Sequence, residues 1–414
     1  MKRILLSVFL IASISLSAQV TDTVSVGASY ANQVWYSLEN DEQGSVALSS
    51  WDFGFEISGF TSSIIANTSL GAELYKYPNG DTANWSTLDT SGIATWTAWH
   101  NSPTSWAEGA FNQGIDTSNA LDLGWGKYNF ITHHVTGDSL FVWKSANGTY
   151  KKIWIENLAS GTYNFKIADL NGNNLKQVAI VKSLFAGKAF AYYHVAQDSI
   201  KDLEPAAANW DLIFGKYIDF VPTPYSVSGI RTNANVQTAK VYPVNNTATY
   251  NGYSIANYTY DINTIGHDWK YFDFGTFSYL IEDSTVYFAK IDTVYWKLIM
   301  QGFGGSSNGN YIFSKEKISQ TTSIVENKEK IGTIMLYPNP SVQRNVSLVT
   351  DFKEAAQATL RVLNLNGQAV MQENITVNAG LNTEVLNLEN VSKGVYIIRL
   401  DHPKGSLNQK LILK

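Results

Sequence analysis

The run Phe141-Val142-Trp143-Lys144-Ser145-Ala146-Asn147-Gly148-Thr149-Tyr150-Lys151-Lys152-Ile153-Trp154-Ile155 reads as two strands around a turn. Aromatic and β-branched residues fill both arms, and Asn-Gly is the dipeptide that a two-residue hairpin turn favours. The surrounding stretch, Gly137 to Leu158, lies without a gap against Glu282 to Phe303, where Tyr295, Lys297 and Leu298 meet Tyr150, Lys152 and Ile153. Tyr163 and Phe165, after Gly161, meet Tyr311 and Phe313, after Gly309.

The same order of landmarks extends upstream. Trp51-Asp52-Phe53-Gly54-Phe55 recurs as Trp210-Asp211-Leu212-Ile213-Phe214, and each follows an aromatic strand, Val34 to Leu38 or Ala191 to Val195. Matching landmarks in one order imply two tandem copies, 19–182 and 183–318, followed by a polar linker at 319–332 and a separate tail at 333–414. The chain is therefore expected to be all-β, two tandem antiparallel β domains followed by a small C-terminal β domain. The aspartate of each Trp-Asp pair is expected to cap a turn, with the tryptophan in the core.

Composition agrees and excludes much. Aromatics make up 13% of the 414 residues and charged residues only 16%, which suits short strands rather than long solvated helices. A net charge of -5, without a basic stripe, argues against nucleic acid. Cysteine is absent, which removes disulfides, thiolate metal sites, Cys nucleophiles and the anchor of a bacterial lipoprotein. Lys2 and Arg3, the mainly apolar run Ile4 to Leu16, and Ser17-Ala18 predict a signal peptide over 1–18, cut before Gln19.

The tail carries Tyr337-Pro338-Asn339-Pro340, the turn Asn366-Gly367, the strand Gly394-Val395-Tyr396, and a closing Lys410 to Lys414. In this order they resemble the type A C-terminal sorting domain of Bacteroidota type IX secretion. The resemblance implies an immunoglobulin-like β-sandwich that engages the type IX machinery. It also implies a product displayed on outer-membrane lipopolysaccharide at the cell surface, or secreted.

In the first copy, Trp125-Gly126-Lys127-Tyr128-Asn129-Phe130-Ile131-Thr132-His133-His134 precedes Asn147-Gly148-Thr149-Tyr150-Lys151-Lys152-Ile153. With the aromatic strand and W-D-x-x-F, this resembles the HmuY family of haem-binding proteins. The resemblance implies two HmuY-like domains that hold haem by two axial side chains, with haem or haemoproteins as partners. His133 falls at the family's ligand position, with His134 on the opposite face of the same strand as the alternative. His100, in Trp96-Thr97-Ala98-Trp99-His100, is the remaining histidine of that copy and the candidate second ligand of the iron. In the second copy Phe277 or Ser278 lies opposite His133, and His194 and His267 match no ligand position.

The W-D aspartates sit in separate copies and are not expected to converge on one glycosidic bond. No nucleophile elbow, zincin, phosphate-loop or dinucleotide motif occurs. The chain is thus expected to be no enzyme and to hold no structural metal. Two readings follow from the sequence: a haem- or porphyrin-binding surface protein, and a non-enzymatic adhesion or glycan-binding protein that uses aromatic platforms.

Overall fold

The computed structural model describes residues 19–59, 61–320, 331–342, 344–364 and 367–414. The expected signal peptide, Asn366 of the tail turn, and 321–330 of the linker lie outside them. The chain divides into two compact units meeting between residues 320 and 321.

The front unit opens with β1 (Val20–Ser25), β2 (Asn32–Ser37), β3 (Asp41–Ala47), β4 (Phe53–Glu56) and β5 (Ile64–Ala66). Next come β6 (Glu73–Lys76), β7 (Ala98–Trp99), β8 (Gly126–Asn129), β9 (His134–Gly137) and β10 (Phe141–Lys144). The long β11 (Tyr150–Ala159) and β12 (Thr162–Asp169) lead to β13 (Lys176–Val181), β14 (Phe190–His194) and β15 (Ser199–Lys201). Then follow β16 (Leu212–Phe220), β17 (Pro224–Thr232), β18 (Gln237–Val241), and the hairpin β19 (Lys270–Asp273) and β20 (Ser278–Ile281). The unit ends with β21 (Val286–Ile291), β22 (Val294–Phe303) and β23 (Asn310–Gln320). The expected all-β class holds, and the expected hairpin is β10–β11, with Gly148 at φ 84° in its turn.

The boundary at 182/183 does not separate two bodies. One sheet runs β17-β16-β2-β3 and another β15-β14-β4-β5, so each half lends a hairpin to the other. Tyr36 stands opposite Leu212 and Trp35 opposite Ile213. Reciprocally, Ala191 stands opposite Phe55 and Tyr193 opposite Phe53. β1 crosses over too, pairing along β23 from Val20 and Lys315 to Ser25 and Asn310.

The cause lies in the two lent strands, which are buried on both faces. Successive side chains of a strand point to opposite sides. From β2, Val34 and Tyr36 enter the second-half core, among Phe214, Trp269, Tyr287, Tyr311 and Phe313. From β14, Ala191 and Tyr193 enter the first-half core, among Phe53, Trp125, Trp143, Tyr163 and Phe165. Their other faces, Trp35 on β2 and Phe190 with Tyr192 on β14, are buried in aromatic clusters at the seam.

The Trp-Asp pairs hold this exchange. Asp52 Oδ2 accepts the Val195 amide at 2.7 Å, and Asp211 Oδ2 accepts the Leu38 amide at 2.7 Å. Burial pushes both carboxyl pKa values up. Asn67 and Asn233 reinforce the two corners alike, each donating its side-chain amide to the carbonyl of Trp51 or Trp210. The aspartates are structural, as expected, but each caps a segment of the other half rather than its own turn. Both tryptophans are buried.

β23 runs through Gln320, so the expected linker begins inside a strand, and Ile331 at its far end is buried in the tail core. The tail has β24 (Gly332–Tyr337), β25 (Asn345–Phe352), β26 (Ala356–Leu363), β27 (Ala369–Val377), β28 (Gly380–Asn387), β29 (Gly394–His402) and β30 (Gly405–Leu413). They form sheets β24-β25-β28 and β27-β26-β29-β30 around one apolar core, the expected sandwich. Asn339 fastens the Tyr-Pro-Asn-Pro segment to the last strand: its amide donates to Lys410 O at 2.7 Å, and its oxygen accepts Ile412 N at 2.9 Å.

Candidate binding site at the seam

Where the lent strands meet, the seam opens into a cavity of about 420 Å³. That volume falls in the range of small-molecule sites. Trp35 of β2, Phe190 and Tyr192 of β14, and Ile213 of β16 face it, with Trp210 just ahead of β16. The loop after β7 adds Trp106, whose indole donates to Thr232 O at 2.8 Å, and the loop after β18 adds Tyr260 and Ile262. Both halves therefore build the walls. The Trp210 indole N–H is buried without an acceptor among the described residues, a cost of about 1–3 kcal/mol in the wall itself.

Two carboxylates reach this cavity, Glu56 and Glu204. Glu204 accepts from the amides of Ala189 and Phe190 and from the Tyr192 hydroxyl. Glu56 accepts from the Thr61 hydroxyl at 2.9 Å and the Ser63 amide at 3.2 Å. Burial pushes both upward, Glu204 from 4.5 to about 7.

A carboxyl whose folded pKa is raised stabilises the fold while protonated. That contribution is full below the unfolded value and is lost as pH rises through about 7. Stability is therefore expected to fall between about pH 4.5 and 7, and Glu204→Gln to remove roughly 3 kcal/mol of that fall, at about 1.4 kcal/mol per pH unit. Thermal unfolding of both forms across this range checks it. Parallel pH profiles would show that Glu204 is ionised in the fold at no cost.

The histidines lie elsewhere. His133 is not on a strand: β8 ends at Asn129, whose side chain accepts the Ile131 and Thr132 amides and turns the chain. His133 sits in that turn at φ 57°, exposed, with Nδ1 2.7 Å from the Tyr128 hydroxyl. His134 opens β9 opposite Asn129. Phe277, its expected counterpart, occupies the same place in the β19–β20 turn at φ 51°, with Asp273 accepting the Thr276 amide.

His100 follows β7, half-buried, with Nδ1 3.0 Å from Thr68 Oγ1 and its ring beside Phe220. Burial lowers its pKa. Trp99 is level with Leu74, Leu74 with Trp143, and Trp143 with Lys151 at the start of β11. Val135 is level with Leu158 near the end of β11. At about 3.3 Å per residue, His100 and the pair His133 and His134 lie roughly 25–30 Å apart along the strands. One iron cannot bind across that span, so the expected haem ligands His100 and His133, or His134 in its place, do not form a haem site.

His194 ends β14, 3.8 Å from Asp52, and His267 lies 3.5 Å from Asp219. Neither histidine nor methionine lines the seam cavity among the described residues, which also contain no cluster of three or more metal-ligating side chains.

Residues 335–414 match the family model of the secretion system C-terminal sorting domain. Such a domain marks proteins exported by type IX secretion to the cell surface or beyond, and it implies contact with that machinery. No curated protein matches the chain. Among solved structures, dimeric latent PorU from Porphyromonas gingivalis matches at 10% identity over 68% of this chain. The match covers 31% of that chain with a TM-score of 0.18, too low to support any argument.

Proposed function

We propose that the front unit is a carbohydrate-binding module that acts at the cell surface without catalysis, its ligand held in the seam cavity. The aromatic wall carries this reading: Trp106 and Tyr260 offer flat apolar faces for the C–H faces of a sugar, with the buried Tyr192 behind them. Ser58, Thr61 and Asn235 lie among the lining and can bond its hydroxyls. A binding role suits the carboxylates as well. The oxygens of Glu204 and Glu56 are engaged by amides and hydroxyls, so neither stands free as acid or base.

The HmuY resemblance supplies the competing reading, haem capture, which would need an iron donor pair other than His100 with His133. Titration of the mature chain decides between them. Oligosaccharides are expected to quench tryptophan fluorescence, and Trp106→Ala to weaken binding at least tenfold, roughly the loss of one stacked aromatic contact. A haemin complex with a shifted Soret band, together with no response to any oligosaccharide, would replace this proposal with haem binding.

A further inference from the structure

Beside the seam cavity, and sharing Trp106, Tyr192 and Ile213 with it, runs a narrow cleft of about 30 Å³. Arg231 of β17 lines it and no Asp or Glu is among its lining residues, while the ammonium of Lys216, a further lining residue, lies 5.8 Å over the Tyr30 ring, outside that lining. The Arg231 guanidinium lies 4.5 Å over the Trp106 ring and 4.9 Å over the Tyr217 ring. Among the described residues it has neither an ion pair nor a side-chain hydrogen bond. The side chain is half-buried, and desolvation pulls its pKa down to about 10.

Stacking on two rings satisfies the faces of the guanidinium but leaves its in-plane N–H donors for another partner. A charge withdrawn from water is ordinarily paired, and the planar fork of a guanidinium matches a carboxylate in two parallel hydrogen bonds. The cleft adds a neutral donor. The Gln33 carbonyl oxygen is held by the Trp51 indole at 3.2 Å, which leaves the amide NH2 as the remaining polar group of that buried side chain. A cleft of this volume has room for one small planar group rather than a whole sugar ring.

We infer that this cleft binds a carboxylate borne by the ligand of the seam cavity, so that the glycan recognised is acidic, of the uronate class. The inference rests on the carbohydrate reading and narrows it. The ring stacks in the cavity, and its carboxylate reaches past Trp106 to Arg231.

The test titrates the mature chain with galacturonate, glucuronate and mannuronate oligosaccharides and with their carboxyl-reduced neutral counterparts. At least one acid form is expected to bind about tenfold tighter than its neutral counterpart. Arg231→Gln should abolish that preference while the neutral form still binds, and added salt should reduce the preference of the unsubstituted chain. Thermal unfolding establishes that each variant is folded. Should Arg231→Gln not fold, Arg231→Lys, which keeps the charge without the planar fork, is expected to lower the preference, and an undiminished preference in that variant overturns the carboxylate site.

Equal affinity for acid and neutral forms, with binding still sensitive to Trp106→Ala, overturns the carboxylate site and leaves the carbohydrate reading standing. Acetate or sulfate binding that disappears in Arg231→Gln, with no oligosaccharide bound, keeps an anion site but removes the glycan and with it this inference. Failure of every probe overturns both.

Discussion

A chain ending at residue 182 is expected not to fold by itself, nor one beginning at 183, whereas the two expressed together should assemble. Alone, 19–182 leaves β2 and β3 without β16, and its first-half core loses Ala191 and Tyr193. Val34, Tyr36 and Leu38, buried by the second half, would be exposed at about 1.5–3 kcal/mol each. Domains of this kind are stable by only about 5–15 kcal/mol in total, so the loss consumes most of the margin. Circular dichroism and limited proteolysis of each fragment and of the mixture measure the outcome. A monomeric 19–182 that unfolds cooperatively would show that the lent strands are dispensable.

Removing 333–414 is expected to abolish surface display while leaving the front unit folded. The tail has its own two sheets and its own core, and the matched sorting domain spans 335–414. Cell fractionation should find the truncated protein in the periplasm, with the thermal midpoint of the front unit unchanged. Display at ordinary levels would mean that the export information lies elsewhere. A shifted midpoint would mean that the tail contributes to the front fold.

Much of the fold was legible because β structure writes short-range patterns. Asn147-Gly148 between aromatic runs gives the β10–β11 hairpin, and Gly394-Val395-Tyr396 opens β29 in the tail. The repeated landmarks were visible, and the bonds they make recur: Asp52 with Val195, and Asp211 with Leu38. Nothing local states with which half a strand pairs, since β2 lies opposite residues far along the chain. One signal was available. Val34-Trp35-Tyr36 and Phe190-Ala191-Tyr192-Tyr193 have no polar face, which requires cover on both sides. The strand expected to carry His133 was misread for a comparable reason. The run Tyr128 to His134 looks like one strand, but the Asn129 side chain competes for backbone amides and bends it into a turn. Arg231 and Trp106 belong to no motif, and only the packing of the two halves brings them together.

The pairing of β1 with β23 also governs when the front unit can close. Val20 finds its partner only at Lys315, so the first strand waits for the last, and few contacts within the first third of the chain can satisfy it. Such long-range pairing slows folding, because the entropy of closing a large loop is lost before the contact forms. During synthesis, then, the chain carries an unpaired leading edge. It becomes a finished body only after residue 320 has emerged, ahead of the tail that addresses it outward.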